Sequence, residues 1–306
     1  MAEATVAPGM QRGRSAFDWA RLLLLGAIWG SSFFFARIAV GEMHPLTLVL
    51  FRVAIAAVAL HIYLVVSGPS FRLALPIAGS LLILALTNNV IPFSLMYAGQ
   101  TEMGAGLASV LNATTPFWTI LIANAFTSDE KFSVNKVAGV LLGIAGVAVM
   151  VGPGILANLG GPVWAKFAMV AAAISYAVAL VFSRRFKGVP PVIVATGQLT
   201  ASTIVMIPVV LFWNGPAGLF AGSLPVWAAV FALALVSTAF AYILYFGIIG
   251  SAGATNASLV TLIVPVSAIL LGFVFLGERL ELFEVAGMVL IGLGLMTIDG
   301  RIFRWR

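Results

Sequence analysis

The chain contains no cysteine. That excludes disulfides, thiolate nucleophiles and thiolate metal sites, and leaves its redox compartment unread. Two histidines, His44 and His61, are too few for a histidine-built metal site. Charge is scarce as well. Asp, Glu, Lys and Arg make up 8% of the 306 residues, against roughly a quarter in soluble domains. No Asp or Glu falls near the middle of any long apolar run, which argues against a cation/proton antiporter built on an intramembrane carboxylate. There are no paired intramembrane carboxylates and no Gly-x-Ser-x-Gly elbow, so a membrane-embedded enzyme is disfavoured. No cofactor or metal is expected, and the scattered positive charge does not form a patch that would bind nucleic acid.

What is abundant is apolar. Hydrophobic residues are 62% of the chain, more than a soluble domain of this length can hide, so the bilayer is read as its solvent. Ten stretches qualify as spans of about 20 residues: 17–39, 45–66, 73–98, 103–126, 134–151, 162–183, 190–213, 224–249, 255–276 and 282–300. The first follows a polar leader carrying Arg12 and Arg14. It is longer than a signal-peptide core, so it reads as a retained span. The connections are short and rich in Gly, Pro and charge. With the N-terminus inside, twelve of the sixteen basic residues fall on inner loops: Arg12, Arg14, Arg21, Arg72, Lys131, Lys136, Arg184, Arg185, Lys187, Arg301, Arg304 and Arg306. Arg37, Lys166 and Arg279 fall outside, and Arg52 lies within a span. This distribution places both termini in the cytoplasm, at the plasma (inner) membrane of a bacterium, and calls for an even number of spans.

The halves resemble each other. An offset of 149 pairs Leu86 with Leu235, Gly104-Ala105 with Gly253-Ala254, Ala108-Ser109 with Ala257-Ser258 and Pro116 with Pro265. An offset of 148 pairs Glu130 with Glu278 and Val137-Ala138-Gly139 with Val285-Ala286-Gly287. Near the start of each half, an offset of 146 pairs Pro45 with Pro191 and Arg52 with Gln198. Five spans per half is odd, so the second copy enters the membrane inverted, as in secondary transporters. The expected architecture is an all-α integral membrane protein of ten transmembrane helices in two inverted five-helix repeats. Residues 1–16 form a leader, 17–152 and 162–300 the repeats, and 301–306 a basic tail.

The stretch Ile28-Trp29-Gly30-Ser31-Ser32-Phe33, then Phe51-Arg52, and above all Phe275-Leu276-Gly277-Glu278-Arg279-Leu280 carry a resemblance to the drug/metabolite transporter superfamily with EamA-type repeats. Val285-Ala286-Gly287 and Gly292-Leu293-Gly294 extend it, and Asp129-Glu130-Lys131-Phe132 is a degraded first-half copy. Within the superfamily the chain is most similar to the YddG-type amino acid exporters. That resemblance implies export of aromatic and other neutral amino acids.

The candidate site residues are the polar and aromatic groups inside spans, each costly there unless paired or wetted. Ser109, Asn112, Pro116 and Thr119 share one helix face, and Ser258, Thr261, Pro265 and Ala268 share the corresponding face. These residues either line a cavity or act as helix–helix glue. Asn88 and Asn89 are adjacent, so only one is expected to face a cavity. Either amide suits a zwitterion or an interhelical hydrogen bond. Thr238, Tyr242 and Tyr245 lie on one face, and Trp29, Trp118 and Tyr176 add aromatic area, for substrate stacking or for plain packing. Arg52 is expected to snorkel or to clamp helix-end carbonyls, direct binding of a carboxylate being the alternative. Gln198 is its neutral mate. Glu278 and Glu130 read as helix caps or as ion partners of Arg279 and Lys131. His61 is expected to pack or to face headgroups. Taken together, these features describe an alternating-access exporter of small zwitterionic, amino acid-like molecules, in contact with membrane lipid. Other metabolites or drugs, or a channel, are the alternatives.

Overall fold

The computed structural model of the chain describes residues 16–126, 133–157, 162–216, 219–245 and 260–299. Apart from short connections those residues are helical, with no strand among them. The rods are α1 (Ala16–Ala39), α2 (Pro45–Ser67), α3 (Phe71–Gln100), α4 (Ala105–Phe126), α5 (Val134–Ala157), α6 (Val163–Ser183), α7 (Pro191–Asn214), α8 (Leu224–Tyr245), α9 (Val260–Leu276) and α10 (Leu282–Asp299). Among the described residues, seven helices (α1–α4 and α6–α8) are long and apolar enough to cross a membrane. The apolar stretches of α5, α9 and α10 are shorter: Val134–Val149, Ile263–Leu276 and Leu282–Ile298. Val65, Phe212 and Leu282 are more than four-fifths exposed, as apolar side chains facing lipid tails are and those facing water seldom are.

In hydrocarbon every polar group must find its partner inside the protein. In α7, Thr196, Thr200, Ser202 and Thr203 each donate to the carbonyl four residues back, at 2.7–2.8 Å. In α4 the helix breaks after Asn112. Pro116 has no N–H for the Asn112 carbonyl, and the Thr115 hydroxyl supplies the missing donor at 2.7 Å. The break in span four falls just ahead of Pro116, and spans three and eight depart from a regular α-helix as well. Span three opens as a 3₁₀ segment (Phe71–Ile77) and widens into a π segment (Leu86–Val90) just ahead of Pro92. Span eight widens at Ala232–Phe240, where the Thr238 hydroxyl donates to the Leu233 carbonyl five residues back. The two wide turns fall at matching places under the 149-residue offset. Such turns occur often at functional sites.

The main packings also come in matching pairs. α5 lies along α10 and α2 along α7. α1 packs on α9 as α4 packs on α6, α3 on α6 as α8 on α1, and α2 on α8 as α7 on α3. Exchanging each helix for the one five places on converts each packing into its mate. At the α5–α10 seam this reaches single residues. A Cβ on Gly139 would meet the Gly294 carbonyl at 2.6 Å, and one on Gly146 would meet the Gly287 carbonyl at 2.8 Å. Backbone cannot move aside as a side chain can. Gly146→Leu is therefore expected to destabilise the protein by about 1–3 kcal/mol or more, read as a lowered melting temperature in detergent. Gly292→Ala, where a Cβ meets nothing within 4 Å, is expected to leave it unchanged.

Candidate functional site

The site is built where α2, α3, α7 and α8 meet. Arg52 is seven residues into α2, about 10 Å along its axis, and only 5% exposed. Its Nε donates to Thr238 Oγ1 at 2.9 Å, its Nη1 to the Tyr97 hydroxyl, and its guanidinium carbon lies 4.0 Å from the Phe93 ring centroid. This corrects the expectation for Arg52: it neither snorkels nor clamps helix-end carbonyls. The wide turn of α8 presents Thr238 to it, and Phe93 and Tyr97, one helical turn apart, hold it from α3. No carboxylate among the described residues pairs with it. A guanidinium has five N–H donors, and two protein hydroxyls occupy two of them.

Gln198 is equally seven residues into α7 and 3% exposed. Its Oε1 accepts from Asn88 Nδ2 at 3.0 Å, and Asn88 Nδ2 also approaches the Tyr242 hydroxyl at 3.4 Å. The Arg52–Thr238 bond joins α2 to α8 and the Asn88–Gln198 bond joins α7 to α3, which are mates under the five-helix exchange. One member carries a charge and the other an amide. Asn89, completely buried, points elsewhere: its Nδ2 donates to Ser202 at 3.1 Å, and its Oδ1 has no partner.

Aromatic area closes around this column. The Tyr176 hydroxyl donates to Met96 Sδ at 3.3 Å, and its ring meets Phe93 edge-on at 6.4 Å. It lies close enough to interact electrostatically with Arg52, Tyr97 and Tyr242. Tyr245 packs against Trp29 with ring centroids 5.2 Å apart. Four of the five tyrosines of the chain thus gather here.

The remaining candidates stand apart from it. Trp118 donates to Thr114 at 3.2 Å within α4. Asn112, at the α4 break, has a buried Oδ1 without a partner. Pro116 opens the second part of α4, and Pro265 lies inside α9. Ser258, Glu130 and Lys131 and the Thr261 side chain lie outside the described residues. His61 packs, 3.0 Å from Thr200 and 4.5 Å from the Phe71 ring. Phe93, under the Arg52 guanidinium, is the neighbour that the sequence reading does not single out. The signal for it is its spacing, one helical turn before Tyr97 on the same face of α3.

Glu278 sits at one end of the bundle. Gly277 adopts φ +65°, open to glycine at little strain, and turns the chain so that the Glu278 N–H donates to the Gly272 carbonyl at 3.1 Å. The carboxylate then reaches the other half and accepts from the Ala105 and Gly106 N–H groups at 2.9 and 3.2 Å. It caps α4, not its own helix, and Arg279 is not its partner. Gly104 packs against it, where a Cβ would lie 2.6 Å from Glu278 Cδ. On the same face Glu42 accepts from the Ser223 N–H and hydroxyl at 2.7 and 2.8 Å. Arg37 donates to the Gln100 carbonyl at 2.6 Å, and Asn214 to Thr47 at 2.9 Å. Lys166, expected at the outer side, is fully buried in the first turn of α6. Its Nζ lies 5.6 Å from the Phe283 ring centroid, with buried Glu284 as its charged neighbour.

Comparisons with known proteins agree with this architecture. The chain is 24% identical over 269 residues to the uncharacterized transporter YoaV of Bacillus subtilis, covering 88% of this chain and 91% of that one. It is 28% identical to the uncharacterized inner membrane transporter YedA of Escherichia coli, covering 92% and 91%. It is 27% identical to a probable amino-acid metabolite efflux pump of Escherichia coli, covering 94% and 96%. A solved crystal structure superposes with a TM-score of 0.66 at 21% identity, covering 94% of this chain and 97% of that one, which shows the shared fold. Residues 19–152 and 163–298 each match the same family description. The chain is a multi-pass membrane protein and belongs to the EamA-like transporter family.

Proposed function

We propose that this transporter carries small carboxylate-bearing metabolites, chiefly aromatic and other neutral amino acids, out of the cytoplasm by alternating access. Arg52 carries the proposal. A buried guanidinium with neutral partners and unused donors is costly in the empty protein, and a carboxylate is the ligand its fork fits best. Phe93, Tyr97, Tyr176, Tyr242, Tyr245 and Trp29 offer faces for the substrate's side chain, and Asn88 and Gln198 offer polar atoms further along the column. The name of the efflux pump relative supports the same class.

The proposed architecture is ten spans in two inverted repeats with both termini in the cytoplasm. The paired packings and the crosswise glycine contacts at the α5–α10 seam support the pseudo-symmetry. In that orientation Glu278 and Glu42 latch the two halves together on the outer face. Movement of the halves about the α2–α7 and α5–α10 seams would release these latches and expose Arg52 to the other side.

Counterflow in proteoliposomes tests this reading. Vesicles loaded with unlabelled amino acid are expected to accumulate labelled phenylalanine and threonine saturably, above protein-free vesicles, and a pH gradient is expected to change the rate little. Flux that rises without saturation would indicate a channel. The absence of exchange by folded protein would remove the amino acid assignment.

A further inference from the structure

We infer that the Arg52 site selects net anions, so that monocarboxylates lacking an ammonium group are substrates bound at least as well as the corresponding amino acids. This rests on the carboxylate-binding role proposed for Arg52. It extends that role from what the site attracts to what it cannot neutralise.

The chain has ten carboxylates: Glu3, Asp18, Glu42, Glu102, Asp129, Glu130, Glu278, Glu281, Glu284 and Asp299. None falls in the middle of an apolar run. Those in described segments sit at helix ends or connections: Asp18, Glu42, Glu102, Glu278, Glu281, Glu284 and Asp299. Glu42 and Glu278 are engaged by backbone N–H groups there. Among the described residues, the column around Arg52 offers hydroxyls, side-chain amides and aromatic rings, which leaves one positive charge there with no counter-charge from those residues.

A bound carboxylate anion brings that sum to zero. A zwitterion leaves it at plus one. Its ammonium is one carbon from the carboxylate, so docking the carboxylate on the guanidinium also brings two like charges close together in a medium that screens them poorly. Aromatic faces can hold an ammonium, but Phe93 already lies under the Arg52 guanidinium at 4.0 Å. An aryl monocarboxylate satisfies the cation and the aromatic wall without that repulsion. Net transport of such an anion moves one negative charge per cycle. An inside-negative membrane potential therefore drives its export, about tenfold in concentration ratio for each 59 mV.

The test is competition against labelled phenylalanine counterflow at pH 7.5, with 3-phenylpropionate, phenylalanine and phenylethylamine as unlabelled competitors. Phenylpropionate is expected to half-inhibit at a concentration equal to or below that of phenylalanine. Phenylethylamine, which lacks the carboxylate, is expected to need at least about tenfold more. A second readout imposes an inside-negative potassium diffusion potential. It is expected to accelerate carrier-dependent phenylpropionate efflux and to leave phenylalanine efflux unchanged. Competition by phenylalanine but not phenylpropionate would overturn the inference and leave the amino acid carrier standing. Competition by phenylethylamine as strong as that of phenylalanine would overturn the inference together with the role of Arg52. Absence of phenylalanine counterflow would overturn both this inference and the proposed function.

Discussion

Replacing Arg52 with glutamine or methionine is expected to abolish carboxylate transport and at the same time to stabilise the empty protein. The two effects have one cause. Arg52 is 5% exposed and held by the Thr238 and Tyr97 hydroxyls and the Phe93 ring, with no carboxylate among the described residues. Removing one member of a buried, hydrogen-bonded charge pair costs about 2–5 kcal/mol. Substrate affinity should therefore fall about 30-fold at the least and beyond 1000-fold at the most. In the empty protein the charge is a burden. Replacing even a buried ion pair by apolar groups of similar volume is often neutral or stabilising by about 1–4 kcal/mol, and Arg52 has no carboxylate among the described residues to offset its desolvation. Thr238 keeps its bond to the Leu233 carbonyl when the arginine is gone, so the substitution strands only the Tyr97 hydroxyl. The melting temperature of Arg52→Met in detergent, without substrate, should equal or exceed that of the wild type. Arg52→Lys should restore little affinity, because an ammonium lacks the planar fork. A variant that is both inactive and strongly destabilised would assign Arg52 a structural role instead.

The second large effect is expected at Glu278. Its two oxygens accept the first free N–H groups of α4 from across the interface between the halves, where a carboxylate also opposes the positive end of the helix. Glu278→Gln keeps the shape, removes the charge and turns an N–H₂ toward one of those donors. The loss is about 1–3 kcal/mol of closure, which moves the closed-to-open ratio at this face by roughly five- to more than a hundredfold. The absence of native cysteine makes the measurement clean. Ser237 is 1% exposed and bonds the Ile28 carbonyl across the α1–α8 seam. A single cysteine placed there should react slowly with a membrane-impermeant thiol reagent supplied to the Glu278 face. With Glu278→Gln added, labelling should accelerate by the same factor. An unchanged labelling rate, with transport intact, would show that this contact does not close the pathway.

Much of this was legible in the sequence, for physical reasons. Long apolar runs, scarce charge and the doubled Pro, Gly and Glu positions are one-dimensional signals, and the structure arranges them as matched packings. Gly277-Glu278 shows the limit. The sequence marks a turn and a cap, but the helix being capped is about 170 residues away, and only the folded chain supplies Ala105. Arg52 is the sharper case. Burial and partners distinguish a snorkelling arginine from one held inside the bundle, and they depend on a wide turn in α8 that no proline in that turn announces. In α3 the corresponding turn does precede Pro92. Lys166 reads as an outer-side residue because it lies one turn from a helix start. Its burial beside Phe283 and Glu284 is a tertiary fact. Asn88 and Asn89 behaved as adjacent residues on a helix do, one joining Gln198 and the other Ser202.

Equilibrium binding of phenylalanine to detergent-solubilised protein, followed by calorimetry for the wild type and Arg52→Gln in parallel, tests the central claim most directly. The expected result is saturable binding to the wild type and a loss of at least 30-fold in the variant, with both proteins eluting as the same folded species. Equal affinity in the two would contradict the assignment of Arg52 as the group that holds the substrate's carboxylate.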